Sequence, residues 1–121
     1  MKQYNLLLIT ITILSIMLAG CGKKGPEKPE EPTSRYAFVN CKYYVEKSLK
    51  APATADFGSL STSTVTELKT TRRGGKNEIK YLVTGYVDAQ NSFGAQIRNN
   101  YVCNITGITG GEWKLNDISV Q

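Results

Sequence analysis

Ile79 to Val87, IKYLVTGYV, decides the fold. Ile79, Tyr81, Val83 and Val87 alternate with Lys80, Leu82, Thr84 and Tyr86, the two-residue period of a strand with one buried face. Gly85 interrupts the buried series and marks a bulge or a point of close approach. Upstream, Ser63 to Thr71 (STVTELKTT) is rich in β-branched residues and runs into Arg72-Arg73-Gly74-Gly75-Lys76, a basic hairpin tip. Downstream, Asp88 to Gly94 (DAQNSFG) reads as a turn region. Ala95, Ile97, Tyr101, Cys103 and Ile105 then share one parity of the next strand, closed by Gly107 with Gly110-Gly111. Trp113 and Leu115 have the opposite parity to Ile118 and Val120, so a bulge near Asn116-Asp117 is needed for all four to face one core.

Before the strands the period changes. Phe38, Cys41, Val45 and Leu49 form one apolar stripe of a helix from about Tyr36 to Lys50, capped by Thr33 or Ser34 and ended by Pro52. Lys42, Glu46, Lys47 and Lys50 lie off the stripe, on a solvated face. The expected class is α+β, one N-terminal helix packed on a four-stranded antiparallel sheet. That layout sets Cys41 and Cys103 facing each other in the core, where an oxidising compartment would join them as a disulfide.

The first residues carry a different signal. Lys2 precedes an uncharged run, Leu6 to Leu18, of 13 residues, the length of a signal-peptide apolar region and short of the roughly 20 residues of a membrane span. Leu18-Ala19-Gly20-Cys21 follows and resembles the lipobox of bacterial lipoproteins. The resemblance implies a cleaved signal peptide over 1–20, diacylglyceryl transfer to the Cys21 thiol and acylation such as palmitate at the new amino terminus. Gly22 rather than Asp after the lipidated cysteine implies the outer membrane in a Gram-negative envelope, facing periplasm or cell surface. Residues 21–34 then form the lipidated cysteine and a linker. From Gly22 to Ser34 it holds Pro26, Pro29 and Pro32 among Lys and Glu and no large apolar side chain. Such a segment cannot bury a core, and its 13 residues in extended polyproline form reach up to about 40 Å. Residues 35–121 form the globular domain.

Two further stretches, Lys47 to Phe57 (KSLKAPATADF) and Gly85 to Ala95 (GYVDAQNSFGA) with Arg98, Tyr101 and Cys103, resemble elements found together in small exported bacterial and prophage-associated proteins. The resemblance supports domain identity and implies no activity. On physical grounds Pro52 stops the helix at Ala51, Thr54 bonds local backbone and Phe57 returns to the core. Asp88, Gln90, Asn91 and Ser92 put more polar side chains into one turn than a turn requires. With Phe93 and Arg98 beside them, Asp88, Gln90, Asn91, Phe93 and Arg98 form the candidate binding surface; turn scaffolding is the competing account.

The chain contains no His, which excludes imidazole catalysis, histidine-bearing zinc sites and histidine-held haem. Asp56, Glu67, Glu78, Asp88, Glu112 and Asp117 fall in no recognisable catalytic motif, and no metal or cofactor site is expected. Removing residues 1–20 removes Lys2 and no acid, taking the net charge from +5 to +4. That balance suits an anionic membrane or wall polymer; no basic stripe interleaved with aromatics points to nucleic acid. The expected function is a non-enzymatic binding module on a lipid tether, with membrane contact through Cys21 and an envelope protein or polymer as partner. A prophage origin would make it a superinfection-exclusion factor; an inhibitor of a cell-wall-degrading enzyme is the alternative.

Overall fold

The computed structural model describes residues 30–121. The expected signal peptide, Cys21 and the linker up to residue 29 lie outside the described residues. One helix, α1 (Ser34–Ser48), packs on one face of an antiparallel sheet built from β1 (Asp56–Phe57), β2 (Thr64–Arg73), β3 (Lys76–Gln90), β4 (Gln96–Ile108) and β5 (Glu112–Val120). The α+β class is as expected, with a fifth, two-residue strand added. β1 and β2 share one edge of β3, followed by β4 and β5. Among the described residues no helix is long and apolar enough to cross a membrane.

Thr33 caps α1, its hydroxyl accepting from the Tyr36 N–H at 3.3 Å. Ala37, Phe38, Cys41 and Val45 form the buried stripe. The helix ends at Ser48 rather than Lys50, since Leu49 takes extended backbone and turns its side chain back against the core. Pro52 opens a single 3₁₀ turn, in which the Thr54 hydroxyl donates to the Ala51 carbonyl at 2.7 Å. Opposite the stripe lie Tyr81, Val83 and Val87 of β3 and Tyr101, Cys103 and Ile105 of β4, all buried.

The turns follow the glycines. Gly74 and Gly75, at φ 57° and 77°, form the two-residue loop that joins Arg73 to Lys76, the left-handed geometry a tight hairpin requires. β5 shifts register between Leu115 and Asp117, leaving Asn116 as the bulged residue, so Trp113, Leu115, Ile118 and Val120 all pack on the core. Gly107 does not end its strand. It is buried in β4 because Pro32 and the Trp113 ring press on its α-carbon. The sheet thereby also corrects the linker reading: Pro32 is buried, its carbonyl accepts from the Tyr81 hydroxyl at 3.2 Å, and Glu31 accepts from Thr109 at 2.9 Å and Asn77 at 3.2 Å. Glu30 to Thr33 belong to the fold.

Gly85 pairs regularly with Tyr101, so it is a close-approach point and not a bulge. A β-carbon there would stand 2.5 Å from the Tyr101 hydroxyl and 2.8 Å from its ring. Among the described residues the hydroxyl is buried without a hydrogen-bond partner, the neighbouring Ser63 hydroxyl being turned to the Ser59 carbonyl. Gly85→Ala is expected to destabilise the domain by about 1–3 kcal/mol, because Tyr101 is fully enclosed and has no room to retreat. A thermal melt checks this, since each kcal/mol lowers Tm by roughly 4–8 °C in a domain of this size. An unchanged melt would mean that the ring is mobile.

Candidate functional site

Asp88 and Arg98 sit directly opposite each other on β3 and β4. Arg98 donates from Nε to Asp88 Oδ1 at 2.8 Å and from Nη2 to Oδ2 at 2.7 Å, a two-pronged ion pair. Its guanidinium also lies 3.9 Å over the Tyr86 ring. The hydrogen bonds from Arg98 hold the Asp88 carboxyl below the usual carboxylate range, the wrong direction for a general acid. Asp56 stands across from Asp88 in register on the other side of β3.

Asp88 and Gln90 were expected in a turn. Both lie in β3, and the connection is Asn91 to Ala95. Asn91 organises it: its Oδ1 accepts from the Phe93 N–H at 2.9 Å and the Ala95 N–H at 3.0 Å, while its own N–H donates to the Ala95 carbonyl at 2.9 Å. Gly94, at φ 80°, completes the reversal. The expected five residues therefore divide in two. Asp88, Arg98 and Asn91 are engaged with one another or with the turn. Phe93 and Gln90 point their side chains to solvent, Phe93 with 95% of its surface exposed.

The two sequence elements, Lys47 to Phe57 and Gly85 to Ala95, form one structural unit. Phe57 pairs with Val87, and the Gln90 N–H donates to the Thr54 hydroxyl at 2.9 Å. Thr54 thus links the chain after α1 to the base of the exposed hairpin, a role that its local hydrogen bond alone did not reveal.

Sequence reasoning placed Ala95 and Ile97 on the core side, yet both are exposed. The reason is length. α1 has 15 residues and spans about 22 Å, whereas β3, also of 15 residues, spans about 45 Å, so the hairpin overhangs the helix end. Beneath the overhang a cavity of about 160 Å³ opens between Leu49 and Lys50 at the end of α1, Gln90 and Ile97 on the hairpin, and Val120 of β5. Its lining mixes apolar Leu49, Ile97 and Val120 with polar Gln90 and Asn99, a surface suited to taking up a partner's side chain. Ile97 is the residue missed by parity; only the mismatch of helix and strand lengths identifies it.

Cys41 and Cys103 are fully buried against each other as thiols. The neighbouring Cys103 thiol, with burial added, pushes the Cys41 thiol far up, so it keeps its proton. The juxtaposition read from stripe and parity is present, whereas the disulfide itself is not formed here. Among the described residues no group of three or more Cys, Asp or Glu is placed to hold a metal ion. No family model, curated protein or solved structure matches the chain.

Proposed function

We propose that the chain is an exported lipoprotein, anchored through Cys21, whose domain is a non-enzymatic binding module for an envelope protein or polymer. The observation that carries this reading is Phe93. A phenylalanine almost entirely in water, on a turn fastened by Asn91 and by the Asp88–Arg98 pair beneath it, has an exposure that packing does not explain. Its position adds to the case. The chain enters the fold where the Gly110 N–H meets the Glu30 carbonyl, at the end of the sheet opposite the Phe93 hairpin. A tether from Cys21 would therefore hold the anchor at one end and present Phe93 at the other, about 45 Å along β3.

Phe93, Gln90 and the cavity edged by Ile97 together offer one aromatic anchor, one amide and one apolar recess. Aromatic anchors of this kind carry a large share of binding energy at interfaces. Masking an envelope receptor against a second phage needs no more than this. The protruding, fastened turn also fits a cleft, and for that reason inhibition of a wall-degrading enzyme is the second reading.

A photoreactive phenylalanine analogue at position 93, in the full chain in its native envelope, should cross-link to one partner. Phe93→Ala and Gln90→Ala should each reduce recovery of that partner at least tenfold while shifting stability by no more than about 0.5 kcal/mol, as exposed positions do. Lowered denaturation midpoints with unchanged recovery would assign both residues to scaffolding and move the site elsewhere.

A further inference from the structure

α1 covers one face of the sheet, and the opposite face carries an uneven distribution of charge. Lys69 of β2 pairs directly with Lys80 of β3, which neighbours Thr106 of β4, which neighbours Lys114 of β5. Nearer the hairpin tip on the same face, Arg73 pairs directly with Lys76. Two like-charged pairs standing opposite each other on one hairpin are each destabilising. The rung between them carries Glu78 and Glu112, so five cations face two acids, and among the described residues no ion pair closes between Glu78 and these cations. A shallow cavity of about 300 Å³ lies over this region, lined by Lys69, Thr71, Arg73, Glu78, Lys80 and Thr106.

The arrangement depends on a bulge. β2 shifts register between Glu67 and Lys69, leaving Leu68 unpaired. Without the shift, Leu68 would stand opposite Lys80 and Lys69 would point to the helix side. The irregularity thus creates the Lys69–Lys80 pair. The row also lies at the end where the chain enters: Asn77, one residue after Lys76, donates to Glu31, and the turn after β4 holds Glu30.

We infer that the row Lys69, Lys80 and Lys114, continued by Arg73 and Lys76, is a docking surface for the anionic phospholipid headgroups of the tethering membrane. Charge complementarity selects the occupant, and the point of chain entry puts this end of the sheet nearest to it. The orientation rests on the proposed tether. Docking of this face would fix how the domain tilts on the bilayer.

Trp113 is the chain's single tryptophan and lies in β5 beside Lys114. Energy transfer from it to a dansyl headgroup is measured with the full lipidated chain on phosphatidylcholine vesicles and on vesicles that also contain phosphatidylglycerol. Transfer should be higher on the anionic vesicles and fall to the phosphatidylcholine value in about 1 M salt, where screening extends only about 3 Å. Lys69→Gln with Lys80→Gln should lower the ratio of docked to undocked domain about 25-fold, roughly fivefold per charge. Equal transfer on the two vesicle types, or a gain that survives the double substitution, overturns the inference. Flotation on pure phosphatidylcholine in high salt reports the tether alone. A chain that floats only with anionic vesicles at low salt therefore retains the docking surface and loses the anchor, and the reverse result loses the docking surface.

Discussion

Cys21→Ser should move the protein from the membrane fraction to the soluble or uncleaved fraction and abolish incorporation of labelled palmitate. The effect would be large because, in the proposed lipoprotein, the Cys21 thioether would carry acyl chains. Each buried methylene contributes about 0.8 kcal/mol, so two or three chains hold where one would exchange. The fold should be unaffected, since among the described residues the first backbone contact is made by Glu30, whose carbonyl accepts from Gly110. Circular dichroism and the thermal melt of the variant should therefore match those of the wild type. Label retained in Cys21→Ser would sink the lipobox reading, and loss of fold would place the segment before Glu30 within the domain.

What was legible in the sequence, and what was not, divides by range. A cap at Thr33 or Ser34, a hairpin tip over Arg72 to Lys76 and a bulge near Asn116-Asp117 are each dictated by residues within a few positions, and each is present, the cap being Thr33, the loop Gly74-Gly75 and the bulged residue Asn116. β1 was missed because two residues, one of them Asp56, carry no periodicity; only pairing with Val87 and Asp88 makes them a strand. Pro32 was assigned to a solvated tether by composition, and composition is blind to the hydrogen bond from Tyr81, which lies far along the chain. The candidate site follows the same rule. Asn91 was readable as a turn residue, but the Asp88–Arg98 pair depends on the β3–β4 register, and the solvent position of Ile97 depends on where α1 stops relative to the strands. The Lys69–Lys80 pair hangs on a single extra residue, Leu68, that alternation alone does not locate.

In the exported protein, Cys41 and Cys103 should be found joined, although they stand here as thiols. Both are fully buried in one core cluster, one on the helix stripe and one on the facing strand, so the fold already brings the two thiols near each other. Oxidation takes two protons and two electrons from the pair, which a disulfide oxidant of the export compartment accepts. The linkage closes the chain from α1 to β4 and should stabilise the fold by about 4 kcal/mol through loop-closure entropy. A domain of this size has only about 5–15 kcal/mol in total, so the linkage would supply a large share of its stability. Non-reducing mass spectrometry should recover the Cys41 and Cys103 peptides linked, and reduction should lower Tm by about 15–30 °C. The effect should be confined to reduction, because burial keeps alkylating reagents from the thiols until the domain unfolds. Folded, exported protein that on denaturation yields two alkylatable thiols at these positions would overturn the prediction and leave Cys41 and Cys103 as two buried free thiols of the core.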